Sequence, residues 1–203
     1  MKKMAQAYLL GGVNGVGKSK LFERLQESRP EMDVVHTASL LMEWLDIKPG
    51  DYDSLRSLPD RDKNRECGNA IRARLARAAI EQTVVFDFHY LNLIDGVMGP
   101  TVEGAWPAVM NGLIMVDARP DTVYRRVRGD ARDRRLFPQG RPLPAEGEKA
   151  TIANFVGQTR AEFGRLAASY ALPNLVIGND TPLDTAIAID RFLEFDKRVR
   201  SEQ

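Results

Sequence analysis

Short apolar runs separated by longer stretches of mixed polarity set the rhythm of this chain. Residues 7–10, Ala-Tyr-Leu-Leu, form the first run and pass straight into a glycine-rich turn. Residues 83–88, Thr-Val-Val-Phe-Asp-Phe, are β-branched and aromatic and predict a buried strand. Residues 112–116 and 175–177 predict two more, and 33–36 a short one. Between these runs apolar positions recur at helical spacing. Leu21, Phe22 and Leu25 share one face of a helix predicted over 18–28, and Ile71, Leu75 and Ala79 fall four apart on a longer one over 60–82. Further helices are predicted over 40–46, closed by Pro49-Gly50, and over 121–128, 151–170 and 183–198. Hairpin signals such as Asn-Gly between two alternating strands are missing; Asn111-Gly112 precedes a strand but has no partner before it. Strands that alternate with helices favour an α/β fold, a parallel sheet covered on both faces. Residues 137–147 break the rhythm with three prolines and two glycines and read as a loop or flap.

At 203 residues the chain reads as one domain able to bury a full core. Its 29 Lys and Arg against 28 Asp and Glu give a charge of +1, which argues against non-specific nucleic-acid binding. The single cysteine, Cys67, excludes an internal disulfide and fits a reducing cytoplasm. No apolar run approaches the ~20 residues of a membrane helix. The basic start, Met1-Lys2-Lys3, leads into what reads as a strand and not a signal peptide. No heptad seam is long enough to predict an oligomeric state.

The strongest chemical signal is Gly12-Val13-Asn14-Gly15-Val16-Gly17-Lys18-Ser19, which matches G-x-x-x-x-G-K-S/T without error. Glycines let successive backbone N–H groups turn inward on phosphate oxygens, and the helix that follows adds its positive end. Lys18 supplies charge toward the β- and γ-phosphates, and Ser19 offers a hydroxyl to Mg²⁺. Gly12, Asn14, Gly15, Val16, Gly17, Lys18, Ser19 and Lys20 are therefore the candidate ATP-binding set.

Asp87 ends a predicted strand, where ligands of open parallel sheets sit, and is the candidate second Mg²⁺ residue. His89, two residues on, is a candidate substrate contact; His36 is assigned nothing. From Arg119 to Arg141 there are eight arginines and three aspartates, a local excess of five positive charges. Arg125, Arg126 and Arg128 fall on a predicted helix, and Arg132, Arg134, Arg135 and Arg141 in the flap region. Arginines closing over a transferred phosphoryl group stabilise its spread charge. Phe137 is the only ring between Arg125 and Arg141, so base stacking for a nucleic-acid groove is poorly supplied.

Taken in order, these segments resemble the nucleoside monophosphate kinases, most closely the archaeal-type adenylate kinases. The similarity rests on the loop, on residues 51–77 with Leu55-Arg56-Ser57-Leu58-Pro59 before a long helix, and on Asp87-Phe88-His89 at a strand end. It continues through Ala118-Arg119-Pro120-Asp121, Arg126-Val127-Arg128 and Arg132-Asp133-Arg134 to Gln158-Thr159-Arg160-Ala161. The resemblance implies a P-loop NTPase three-layer fold with five parallel strands, a monophosphate-binding arm over about 37–80 and a lid over about 129–158. It implies ATP- and Mg²⁺-dependent phosphoryl transfer, with Lys18, Arg126, Arg132 and Arg160 around the transferred group and Thr37 and Arg56 on the acceptor. Ala38-Ser39 stand where many such kinases carry Gly-Asp, and Phe88 stands where a small residue is common.

The residues themselves leave the small-molecule acceptor open. A monophosphate is already an anion and needs arginine in its pocket, for which Arg56 is the candidate; a hydroxyl acceptor needs a carboxylate, for which Asp87 is the candidate. Arg56 favours the first, so a nucleoside monophosphate is the leading expectation. A nucleotide-driven ATPase or switch would carry Glu after Asp87 to activate water, and Phe88 stands there. A guanine-recognition Asn-Lys-x-Asp motif is missing.

Overall fold

A computed structural model describes residues 5–80, 82–101, 106–130, 135–138, 143–179 and 182–201. Five strands pair in parallel in the order β2-β3-β1-β6-β7. They are β1 (Gln6–Gly11), β2 (Asp33–His36), β3 (Thr83–Asp87), β6 (Gly112–Asp117) and β7 (Asn174–Gly178). Central β1 is buried from Ala7 to Gly11, as a strand with helices on both faces must be. Alternate side chains divide the core. Tyr8 and Leu10 join Leu21, Leu25, Val85 and Ile114 on one face, while Ala7 and Leu9 join Ile71, Phe86, Met115 and Phe163 on the other.

The connecting helices are α1 (Lys18–Ser28), α2 (Thr37–Trp44), α3 (Tyr52–Ser57), α4 (Asp60–Arg77), α5 (Pro120–Arg128), α6 (Ala145–Tyr170) and α7 (Pro182–Ser201). The sequence-based helix over 60–82 is cut short because Ala78 is extended (φ −69°, ψ 146°). The expected flap over 137–147 gives way to α6 from Ala145 onward. Pro144 enters the helix with a compatible φ of −63°, and Glu146 and Glu148 occupy its first turn, where the dipole favours acids. Glu148 is buried and takes Arg128 Nε (2.8 Å) and Tyr124 Oη (3.3 Å), fastening α6 to α5.

The expectation of no hairpin is also overturned. Strands β4 (Leu91–Ile94) and β5 (Val97–Pro100) form an antiparallel pair joined by Asp95-Gly96. Both turn residues have positive φ, 50° and 81°, as the tightest hairpin turns require. An Asp-Gly pair serves that turn as well as Asn-Gly does, and Leu91 and Leu93 are buried around exposed Asn92. The turn N–H groups of Asp95 and Gly96 donate to the carbonyls of Arg135 (2.6 Å) and Leu136 (3.2 Å). Arg135 Nη2 returns to Asp95 Oδ2 at 2.6 Å, and its Nη1 lies 3.6 Å from Asp53 on α3.

Candidate active site

The loop after β1 delivers its glycines where backbone freedom is needed. Gly15 (φ 83°) and Gly17 (φ 96°) hold left-handed conformations, and Gly17 is the residue from which α1 starts. Lys18, only 8% exposed, donates from Nζ to the Gly12 carbonyl at 2.9 Å, so the ammonium lies back across the loop. Ser19 and Lys20 are exposed on the first turn of α1, and Asn14 is half-buried at the loop crest. The Val16 carbonyl is a hub: Arg126 Nη1 (2.9 Å) and Asn179 Nδ2 (2.5 Å) both donate to it. Arg126 Nη2 also reaches the Asn179 carbonyl at 3.1 Å. Arg126 is thereby tied to the loop itself.

Asp87 ends β3 beside β1, paired with Leu10 on one side and with His36 of β2 on the other. Its Oδ2 contacts His36 Nδ1 at 3.1 Å, and its buried Oδ1 has no hydrogen-bond partner. Buried polar atoms rarely go without one, which makes Oδ1 a candidate contact for a ligand atom or water. His89 Nδ1 lies 2.9 Å from the Gly12 carbonyl and 3.4 Å from Lys18 Nζ, which places His89 against the loop. Thr37, the first residue of α2, has a buried Oγ1, likewise without a partner.

The remaining predicted residues separate. Arg160 on α6 donates from Nε to Asp117 Oδ2 (2.9 Å), with Nη2 2.8 Å from the same oxygen, which brings it to the end of β6. Arg56 on α3 is exposed, bonded to Asp53 (2.9 Å), with its guanidinium 5.8 Å from the Tyr52 ring centre. Arg132, Arg134 and Arg141 lie outside the described residues. Arg128 is committed to Glu148.

Sequence reasoning passed over His36, Asp117 and Asn179. Each ends a strand or directly follows one. The rule that ligands collect at the carboxyl ends of parallel strands, applied to all five strands, would have marked all three.

The arrangement is chemically suited to a polyanion. Main-chain N–H groups, the start of α1, Lys18 and two arginines converge on one end of the sheet, with a carboxylate beside them. Among the described residues no three His, Cys, Asp or Glu cluster as metal ligands. A Mg²⁺ ion on a phosphate loop needs no such cluster, because phosphate oxygens and water complete its shell. Exposed Ser19 and the Asp87 carboxylate are chemically suited to that ion.

No protein-family model matches the chain, and no curated protein matches it. Solved structures do. A shikimate kinase from Bacteroides thetaiotaomicron has a TM-score of 0.62 and 14% identity, over 93% of this chain and 98% of its own. A shikimate kinase from Aquifex aeolicus has a TM-score of 0.58 and 14% identity, over 93% and 96%. A gluconokinase from Sinorhizobium meliloti has a TM-score of 0.54 and 14% identity, over 100% and 99%. The chain therefore has the P-loop kinase fold, with the five-stranded parallel sheet expected from sequence. None of these three structures is an adenylate kinase. Among the described residues no helix is long and apolar enough to cross a membrane.

Proposed function

We propose that this chain is a P-loop kinase that transfers the γ-phosphoryl group of ATP to a hydroxyl of a small non-nucleotide acceptor. The observation that carries the reading is Asp87, a carboxylate one strand from the phosphate loop with Oδ2 on His36 and a buried, partnerless Oδ1. A hydroxyl must lose its proton as it attacks phosphorus, and a carboxylate within hydrogen-bond reach can take it. A monophosphate has no proton to lose. Arg56, the arginine assigned to a monophosphate, is engaged with Asp53 instead.

In this reading the loop N–H groups and Lys18 bind the β- and γ-phosphates, and Arg126 and Arg160 face the transferred group. Arg132, assigned the same role from sequence, belongs to the proposal as well. Ser19 and Asp87 would hold Mg²⁺, which neutralises phosphate charge when bound. The acceptor oxygen then bonds to the γ-phosphorus, the bond to the β–γ bridging oxygen breaks, and ADP leaves while Asp87 keeps the proton. His89 and Thr37 border the acceptor. The fold's likeness to a gluconokinase and to shikimate kinases supports an acceptor of this class.

A second reading, a nucleoside monophosphate acceptor, draws on the buried, partnerless Thr37 hydroxyl at the start of α2, where an anion would be favoured. One screen separates them. ATP and Mg²⁺ are supplied with sugars, sugar acids, cyclic hydroxy acids, amino sugars and each nucleoside monophosphate, and ADP and free phosphate are followed in parallel. ADP formed only with a non-nucleotide hydroxyl compound is expected. Dependence on a monophosphate would select the second reading, and free phosphate without acceptor dependence would make the chain an ATPase.

A further inference from the structure

Asp117 is the carboxylate that neither the sequence motifs nor the proposed chemistry uses. It ends β6, paired with Gly178 of β7. Its backbone is fixed to the phosphate loop by two routes. Its carbonyl accepts the Asn179 N–H at 2.8 Å, and the Asn179 side chain bonds the Val16 carbonyl. One residue earlier, the Val116 carbonyl sits so close to Gly12 that a Cβ there would overlap it. Asp117 is thus anchored to the loop through both neighbouring strand ends.

Its side chain takes one edge of the Arg160 guanidinium. Nε donates to Oδ2 at 2.9 Å, and Nη2 lies 2.8 Å from the same oxygen. A guanidinium has five N–H donors in a rigid plane. Among the described residues the other three meet no protein acceptor, so the outer edge is open. The arginine side chain is 46% exposed and the aspartate 22%. Ion pairs this exposed contribute little to stability, so folding alone does not account for the arrangement. It does account for aim. A long side chain at mid-helix on α6 would otherwise sample many rotamers, and each would have to be given up when a phosphate arrives.

We propose that Asp117 is a positioning residue, which clamps the inner edge of Arg160 so that its outer edge is presented to the γ-phosphate of bound ATP. The inference rests on the kinase reading above and adds to it a residue that touches neither ATP nor acceptor. An acceptor is not needed to test it. The ratio of affinities for the non-hydrolysable analogue AMP-PNP and for ADP, each with Mg²⁺, isolates contacts to the γ-phosphate and can be read by calorimetry.

Asp117→Ala is expected to lower the AMP-PNP preference about ten-fold while leaving ADP affinity within two- to three-fold, since misaimed groups lose most of their effect. Asp117→Asn, which keeps an oxygen for both N–H groups, is expected to restore most of the preference. In an Arg160→Ala background Asp117→Ala should have no further effect, because a residue acting through another is non-additive with it. Arg160→Lys, which keeps the charge and loses the two-donor edge, should lower the ratio like Asp117→Ala and serves if that variant does not fold.

Failure of the wild-type chain to bind either nucleotide would overturn the kinase reading and this inference with it. Binding of both, with an unchanged ratio in Asp117→Ala or in Arg160→Lys, would overturn the inference alone. So would additive losses in the double variant.

Discussion

The Tyr90 hydroxyl donates to the Leu9 carbonyl at 3.1 Å, reaching from the residue before β4 back onto the central strand; it also bonds the Ile114 carbonyl at 2.9 Å. The ring is fully buried and lies over Gly11, the last residue before the phosphate loop, where any side chain would overlap it. Burial pushes its phenol well above the usual value. Tyr90→Phe removes the hydroxyl's hydrogen bonding to these strand carbonyls and is expected to cost about 0.5–1.5 kcal/mol. Urea unfolding monitored by circular dichroism measures it, and a change within error would mean the carbonyls find other donors.

Lys18→Ala removes the ammonium that now bonds Gly12 and that would follow the phosphates. ATP turnover is expected to fall by at least about a hundred-fold. Steady-state ADP formation checks this, and full activity would sink the assignment of the loop.

Asp87→Asn tests the proton acceptor. The amide preserves shape and cannot take the proton, so turnover should fall about 100- to 10,000-fold while ADP affinity persists. Turnover close to wild type would leave Asp87 a structural residue at the end of β3.

Cys67 sits buried on α4, where loss of solvation pushes its thiol up to about 12. The reactive thiolate is therefore scarce at pH 8. Iodoacetamide should label the native chain slowly and the guanidinium-unfolded chain at one equivalent. Rapid native labelling would show that α4 opens.

Glu66, also on α4, accepts Trp44 Nε1 (3.0 Å), Arg65 Nε (2.8 Å) and Asn69 Nδ2 (3.2 Å). These donors, Trp44 first, hold its carboxyl down at about 2, against an ordinary 4.5. The folded value lies below the unfolded one, so its contribution is fully present above about 4.5 and fades as pH falls toward 2. Trp44→Phe should move the Glu66 titration upward in a carbon-detected NMR series; an unmoved midpoint would assign the depression to Arg65 and Asn69.

What could be read in advance followed from contacts that are local or periodic. The loop, the strand ending at Asp87 and the helix face of Leu21, Phe22 and Leu25 are each written in one short stretch. The Asp95-Gly96 hairpin was equally local and went unread because its strands span four residues each, too few to display alternation. The beginning of α6 was hidden for another reason. Prolines and glycines upstream suggested a flap, and the group that settles Glu148 on the interior, Arg128, lies 20 residues away.

The site divides the same way. Lys18 and Asp87 were legible because chemistry demands them at fixed positions. Arg56 was not, since its neighbour Asp53 decides where it turns. Pairings such as Arg160 with Asp117, 43 residues apart, or His36 with Asp87, 51 apart, exist only through the sheet that brings strand ends together.

That sheet has a consequence for how the protein comes apart. Its carboxyl edge takes His36 from β2, Asp87 from β3, Gly12 from the end of β1, Asp117 from β6 and Asn179 from β7. No segment of the chain owns the site, and a fragment ending before β6 would hold the whole phosphate loop without Asp117, Asn179 or either tether on Val16. Assembly of the edge and assembly of the fold are one event. A bound nucleotide should therefore protect the entire sheet from unfolding, the outer strand β7 included, by the full measure of its binding energy.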